Sequence, residues 1–164
     1  LSRQAKSTAT GFEHDAVGFN YAMPGLNAAL GLSQLQTLKE RIQKKRELHQ
    51  FYQECFAEIE EVEVLSVQNE KYYANYWLTV IRFTASNSTK NAERFQAFLA
   101  KKGIESRFPW KPLHLQEIYS EQHYFGAQQA ETLWKTGLCL PSGCGLTKED
   151  LNRIQQAINA YFSA

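Results

Sequence analysis

Two stretches of this 164-residue chain carry side chains whose chemistry exceeds what a folded core needs. In GFNY, a polar Asn20 stands between Phe19 and Tyr21, shortly before Pro24 and an alanine- and leucine-rich run. An asparagine there can serve as a turn or cap for the helix that follows, or it can present its amide to something outside the helix. In IESRFPWKPLHLQ, Arg107, Trp110, Lys111 and His114 project from a segment stiffened by Pro109 and Pro112. A planar guanidinium, an indole and an imidazole within eight residues suit an anionic ligand that also carries a ring. The competing reading is a rigid surface connection with Trp110 tucked into the core.

Other constellations carry less. Cys139 and Cys144 are too far apart for a short zinc knuckle, no second pair exists, and the four histidines lack HExxH spacing, so no metal site is expected. Cys144 between two glycines reads as a turn cysteine rather than half of a nucleophilic pair. PSGCG before a helix lacks both phosphate-loop patterns. The basic run KERIQKKR is interspersed with Glu40 and Glu47 and reads as the solvated outer face of a helix, not a nucleic-acid contact.

The bulk composition agrees. Apolar residues at 43% and charged residues at 21% are globular proportions, and a net charge of +1 provides no field for nucleic acid or an anionic membrane. No apolar run is long enough to span a bilayer. Three cysteines without framework spacing point to a reducing compartment, the cytoplasm. The chain opens Leu-Ser-Arg, and its only methionine is Met23, so it reads as a piece of something longer.

The elements that must position these side chains follow from periodicity. Residues 1–19 show no clean period. From Leu26 to Ile59, apolar residues recur at three- and four-residue steps, predicting one helix of more than thirty residues, bent or broken near Gly31, with Pro24 in its first turn. Residues 62–65 and 76–83 read as strands, 91–102 as a helix ended by Gly103, and 104–108 as another strand. A helix over 127–135 is stopped by Gly137, a short strand covers 138–140, and Thr147 with Asp150 caps the last helix. The sum is β-α-β-α-β-α behind a long helix, an α+β domain with a small sheet. The divisions are residues 1–25 as a lead-in, 26–60 as a bridging helix and 61–164 as the small domain.

At this point the motifs resemble a known family. GFNYAMPGLNAALGLSQL is similar to the G-Y/F-N-Y-R-M-x-N-x-x-A-A-x-G-x-x-Q-L segment of the DegT/DnrJ/StrS-type sugar-nucleotide aminotransferases, matching at Gly18, Phe19, Asn20, Tyr21, Met23, Ala28, Ala29, Gly31, Gln34 and Leu35. GIESRFPWKPLHLQEIY resembles its G-I-x-S/T-R-x-x-W-x-P-x-H-L-Q segment, and GLCLPSGCGLTKEDLNRI its closing G-L-x-L-P-S motif. Three motifs in order span nearly the whole chain.

The resemblance implies the C-terminal part of a pyridoxal-phosphate enzyme of the aspartate-aminotransferase fold. Its small, mainly antiparallel sheet would pack with helices behind a long N-terminal bridging helix, and residues 1–25 would be the tail of a cofactor-binding domain. It implies a homodimer that moves an amino group from glutamate to a nucleotide-linked keto sugar, with a UDP-linked 4-keto-6-deoxy N-acetyl sugar the nearest variant, for bacterial surface glycans. Asn20 would reach across the dimer to the cofactor phosphate, with Tyr21 lining the same pocket. Arg107, Trp110 and His114 would face the sugar nucleotide. Two positions depart from the pattern: Ala22 replaces the arginine after N-Y, and Gly25 replaces the second asparagine. The family's cofactor-bearing lysine lies upstream of the matched motifs, and Lys6 sits in a setting like the segment after it. No catalytic residue is therefore expected in this chain, and by itself it should not transaminate. The alternative is a stand-alone binding or assembly module of the same fold.

Overall fold

The computed structural model describes residues 5, 14, 16–67, 69, 71–84 and 90–163. Lys6, and most of the lead-in around it, lie outside the described residues. The chain divides into two compact units, Leu1–Lys39 and Glu40–Ala164.

The first unit holds α1 (Gly25–Gln36). Pro24 stands at its N-cap, one place before the first turn, and its carbonyl accepts the Ala28 N–H at 3.0 Å. Among the described residues no side chain caps this helix, so Asn20 does not serve as its cap. The long apolar stripe does not run through one helix. Gly31 lies inside α1, and the interruption falls at Thr37, before α2 (Leu38–Phe56). There both the Thr37 N–H and its hydroxyl turn back to the Gln34 carbonyl, at 3.3 Å each. A threonine hydroxyl competes with the helix for backbone groups, which an unbranched glycine hydrogen cannot do.

In the second unit, α2 buries Leu48, His49, Tyr52, Cys55 and Phe56. Among the described residues the sheet has three antiparallel strands in the order β1 (Val62–Val64), β2 (Val80–Phe83), β3 (Gly137–Cys139). Val62 faces Phe83, and Val80 faces Cys139. Two predicted strands are cut down. Residues 76–79 do not join β2, because Tyr76 has a positive φ of 48° and the Asn75 carboxamide oxygen accepts the Trp77 N–H at 3.0 Å, closing a turn. The stretch 104–108 adds a single bridge, in which Arg107 and Cys139 exchange backbone hydrogen bonds of 3.1 and 2.7 Å. Pro109 follows at once and cannot extend a ladder. The element order is therefore β1-β2-α3-α4-β3-α5 behind α2, rather than strict alternation.

The remaining helices follow their caps. The Asn91 side chain accepts the Arg94 N–H at 2.9 Å to start α3 (Ala92–Lys101), and Gly103, at φ 67°, turns the chain out of it. Two short 3-10 turns, Leu113–Leu115 and Glu117–Tyr119, precede α4 (Gln129–Thr136). Thr147 and Asp150 form a reciprocal capping box on α5 (Lys148–Phe162), and those hydrogen bonds hold the Asp150 carboxyl below its ordinary range. The core centres on Phe95, Tyr52, Ile81, Leu99, Leu138 and Ile158. All three cysteines are free thiols, and burial pushes Cys55 up to about 11. Among the described residues, no helix is long and apolar enough to cross a membrane, and no group of histidine, cysteine and acidic side chains could hold a metal.

Candidate substrate cleft

The site is built on one face of α2. Lys45 Nζ donates to the Trp77 carbonyl at 2.9 Å and also to the Ser142 carbonyl. Arg46 donates to the Ala74 carbonyl at 2.5 Å, with its guanidinium 4.4 Å from the centre of the Tyr73 ring. His49 Nε2 meets the Ser66 hydroxyl at 2.9 Å, and its ring lies flat on Tyr76, 3.6 Å between centres. The basic run is thus not wholly a solvated face. Lys44 is solvated and pairs with Glu40, but Lys45 and Arg46 are half-buried and fasten the loop at Ala74 and Trp77 to α2. Three backbone carbonyls, those of Trp77, Ser142 and Ala74, explain a cationic face that charge pattern alone reads as exposed.

His49 makes that fastening sensitive to acid. Burial, and then the neighbouring Arg46 charge, hold its imidazole below the ordinary 6.5, and its Nδ1 has no hydrogen-bond partner among the described residues. A folded pKa below the unfolded one means that the unfolded chain binds more protons in that range, so stability rises with pH. The expected outcome is a urea midpoint that falls as pH drops through and below 6.5, well above the range where Asp150 protonates. His49→Gln should flatten that slope; an equal slope in the variant would locate the acid sensitivity elsewhere.

Between this fastened loop and the sheet edge lies a cleft of about 600 Å³. Its lining includes Trp77, Arg107, Trp110 and Ser142 and the α5 residues Asp150 and Arg153. Arg107 gives two hydrogen bonds to Glu105 Oε1, at 2.9 and 2.6 Å. Both side chains are largely in water, so the pair orients the guanidinium more than it stabilises the fold. Trp110 is 70% exposed and stacks on Trp77, so it is not tucked into the core. His114 is elsewhere. Its Nε2 contacts Glu131 Oε1 at 3.1 Å, its ring stacks on Tyr124 at 3.8 Å, and it does not line the cleft. Asn20 and Tyr21 belong to the first unit. Both are exposed, Tyr21 stacks on Phe19 with ring centres 5.1 Å apart, and no side-chain hydrogen bond among the described residues holds the Asn20 amide.

Sequence reasoning missed Trp77 and Lys45. Trp77 sits in an aromatic run that reads as strand, and its partner Trp110 is thirty-three positions away, beyond any local periodicity.

A small antiparallel sheet backed by helices, with a cleft at its edge bearing a guanidinium and paired indoles, defines an α+β unit with an open cleft. The chain belongs to the DegT/DnrJ/EryC1/StrS aminotransferase family, whose model matches residues 1–159. It is 30% identical over 166 residues to the putative pyridoxal phosphate-dependent aminotransferase EpsN of Bacillus subtilis (strain 168), covering 99% of this chain and 42% of EpsN. It is 31% identical over 150 residues to the GDP-perosamine synthase of Escherichia coli O157:H7, covering 92% of this chain and 39% of that enzyme. The chain therefore spans about two fifths of the length of these relatives. The fold is that of solved aminotransferases. TlmJ from Streptoalloteichus hindustanus superposes with a TM-score of 0.83 at 22% identity, over 99% of this chain and 43% of TlmJ. Helicobacter pylori PseC, an aminotransferase involved in the biosynthesis of pseudoaminic acid, superposes at 0.80 with 21% identity, over 96% of this chain and 42% of PseC.

Proposed function

We propose that this chain supplies the small domain and the cofactor-phosphate contacts of a pyridoxal-phosphate aminotransferase that transfers the amino group of glutamate to a nucleotide-linked keto sugar. In this reading residues 1–25 are the end of a cofactor-binding domain, 26–60 the bridge and 61–164 the small domain. The enzyme is a cytoplasmic homodimer serving bacterial surface-glycan synthesis, with a UDP-linked 4-keto-6-deoxy N-acetyl sugar as substrate. Because the chain spans only about two fifths of its relatives, the lysine that carries the cofactor is assigned to polypeptide beyond these residues. The observation that carries the reading is the cleft, where an oriented guanidinium and exposed indoles meet in a chain of this family.

The residues present fit the cofactor. An exposed amide with no side-chain hydrogen-bond partner among the described residues can donate to a phosphate oxygen of the partner subunit's cofactor without adding a charge to desolvate. Tyr21, stacked on Phe19, would line the same pocket. With Ala22 in the arginine position and Gly25 in that of the second asparagine, Asn20 carries more of that contact alone. When bound, the cofactor supplies the electron sink for amino transfer. The chain's own part is to hold its phosphate and to orient the sugar nucleotide through Arg107 and Trp110; the structure gives His114 no place in that cleft.

Asn20→Ala in the longer enzyme is expected to weaken cofactor retention by roughly tenfold or more, the worth of one hydrogen bond to a charged group. The measurement is the absorbance of protein-bound cofactor after dialysis. Unchanged retention would remove Asn20 from the cofactor site.

A further inference from the structure

Two indoles stand stacked and largely bare at the mouth of the cleft. The Trp77 and Trp110 ring centres are 5.8 Å apart, with planes 26° from parallel, yet 64 and 70% of the two residues is in water. Neither is loosely placed. The Trp77 carbonyl is held by Lys45 and its N–H by Asn75, while the carbonyl of Ser142, which also lines the cleft, is held by the same Lys45 ammonium. On the Trp110 side, Arg107 exchanges two backbone bonds with Cys139, and Pro109 packs against Gly137. Fixed aromatic surface left in water forgoes the free energy of burial, and such patches mark places where something else covers them.

The chemistry beside them selects what covers them. An indole face takes a planar ring by stacking, which is worth about 1–3 kcal/mol per base by alanine substitution. The Arg107 guanidinium, oriented by Glu105 on the same cleft, matches phosphate oxygens. Aliphatic Ile104, Leu140 and Leu146 add apolar lining beside the charged Asp150 and Arg153, and a cleft of about 600 Å³ is of the size that holds a nucleotide. We propose that Trp77, stacked on Trp110, is the base-stacking platform of a nucleotide subsite in this cleft, and that Lys45 is the positioning residue that sets it. This deepens the nucleotide-sugar reading above and rests on it for the class of ligand.

The test is fluorescence titration of the chain carrying Trp134→Phe, so that emission comes from Trp77 and Trp110 alone. The probes are uridine, thymidine and guanosine monophosphates, with ribose 5-phosphate as the phosphate without a base. Saturable quenching by at least one nucleotide, and none by ribose 5-phosphate, is the expected result. Trp77→Ala, followed by calorimetry, should weaken that binding about tenfold, while Trp77→Phe should keep most of it. Lys45→Met should weaken it and Lys45→Arg restore it, a rescue that a loss of folding would not give. Absence of saturable binding by all three nucleotides, equal affinity in Trp77→Ala, or equal quenching by ribose 5-phosphate would overturn the platform. Failure here is separable from failure of the aminotransferase reading, because cofactor retention in Asn20→Ala reports on the first unit and needs no nucleotide.

Discussion

Replacing Phe95 with alanine is expected to cost about 3–5 kcal/mol of folding free energy, a large share of the roughly 5–15 kcal/mol that a domain has. The ring is fully buried on α3, where four aromatic side chains meet it. Tyr161 and Phe162 of α5 lie with ring centres at 4.8 and 5.4 Å, Phe83 of β2 at 6.1 Å, and Phe56 of α2 at 6.5 Å. Two helices and a strand thus lean on one side chain, and rigid rings around a void collapse poorly, which favours the upper part of that range. A shift in the urea midpoint at unchanged slope would measure it. Phe95→Leu, which keeps most of the volume, should lose clearly less. A loss under about 1 kcal/mol in Phe95→Ala would mean that the four rings close over the gap and that the core is not organised around this residue.

Phe95 was legible in the sequence for the same reason that it matters. Phe95 and Leu99 recur on one face of a helix whose start is marked by Asn91 and whose end is marked by Gly103, and each of those signals is local. The capping box of α5 was legible on the same grounds. What could not be read were outcomes decided by distant partners. Residues 76–79 have strand composition, but Lys45 of α2 captures the Trp77 carbonyl, and Tyr76 lies against His49 in a left-handed conformation. The same capture turned half of a charged run inward. On the candidate site, Arg107 and Trp110 were placed together by the sequence and stay together, because one short segment ends the sheet edge beneath both. His114 parts from them: the two prolines fix the chain's path, but the imidazole's direction is set by Glu131 and Tyr124, which no spacing within the loop announces.

Gly137→Ala is the substitution expected to connect fold and cleft most directly, at a cost of about 1–3 kcal/mol for overpacking. The backbone angles at Gly137 are ordinary for a strand, so conformational freedom is not what requires a glycine. Space is. Gly137 is both the residue that ends α4 and the first of β3, with no loop between, and a Cβ there would lie 2.5 Å from the Leu133 carbonyl oxygen and 2.7 Å from Pro109 Cγ. One of those neighbours is helix backbone and resists movement; the other is a ring in the segment that carries Trp110. The strain should therefore be relieved mainly through Pro109, moving Trp110 off Trp77. The expected readout is a weakened coupled-indole signal in circular dichroism, along with lower nucleotide affinity. Adding Pro109→Ala removes the contact with the ring but not the one with the carbonyl. The double variant should regain indole coupling while remaining less stable than the parent with Pro109→Ala alone. Unchanged indole coupling in Gly137→Ala would show that the end of α4 yields instead, and that the cleft is insulated from the strand that supports it.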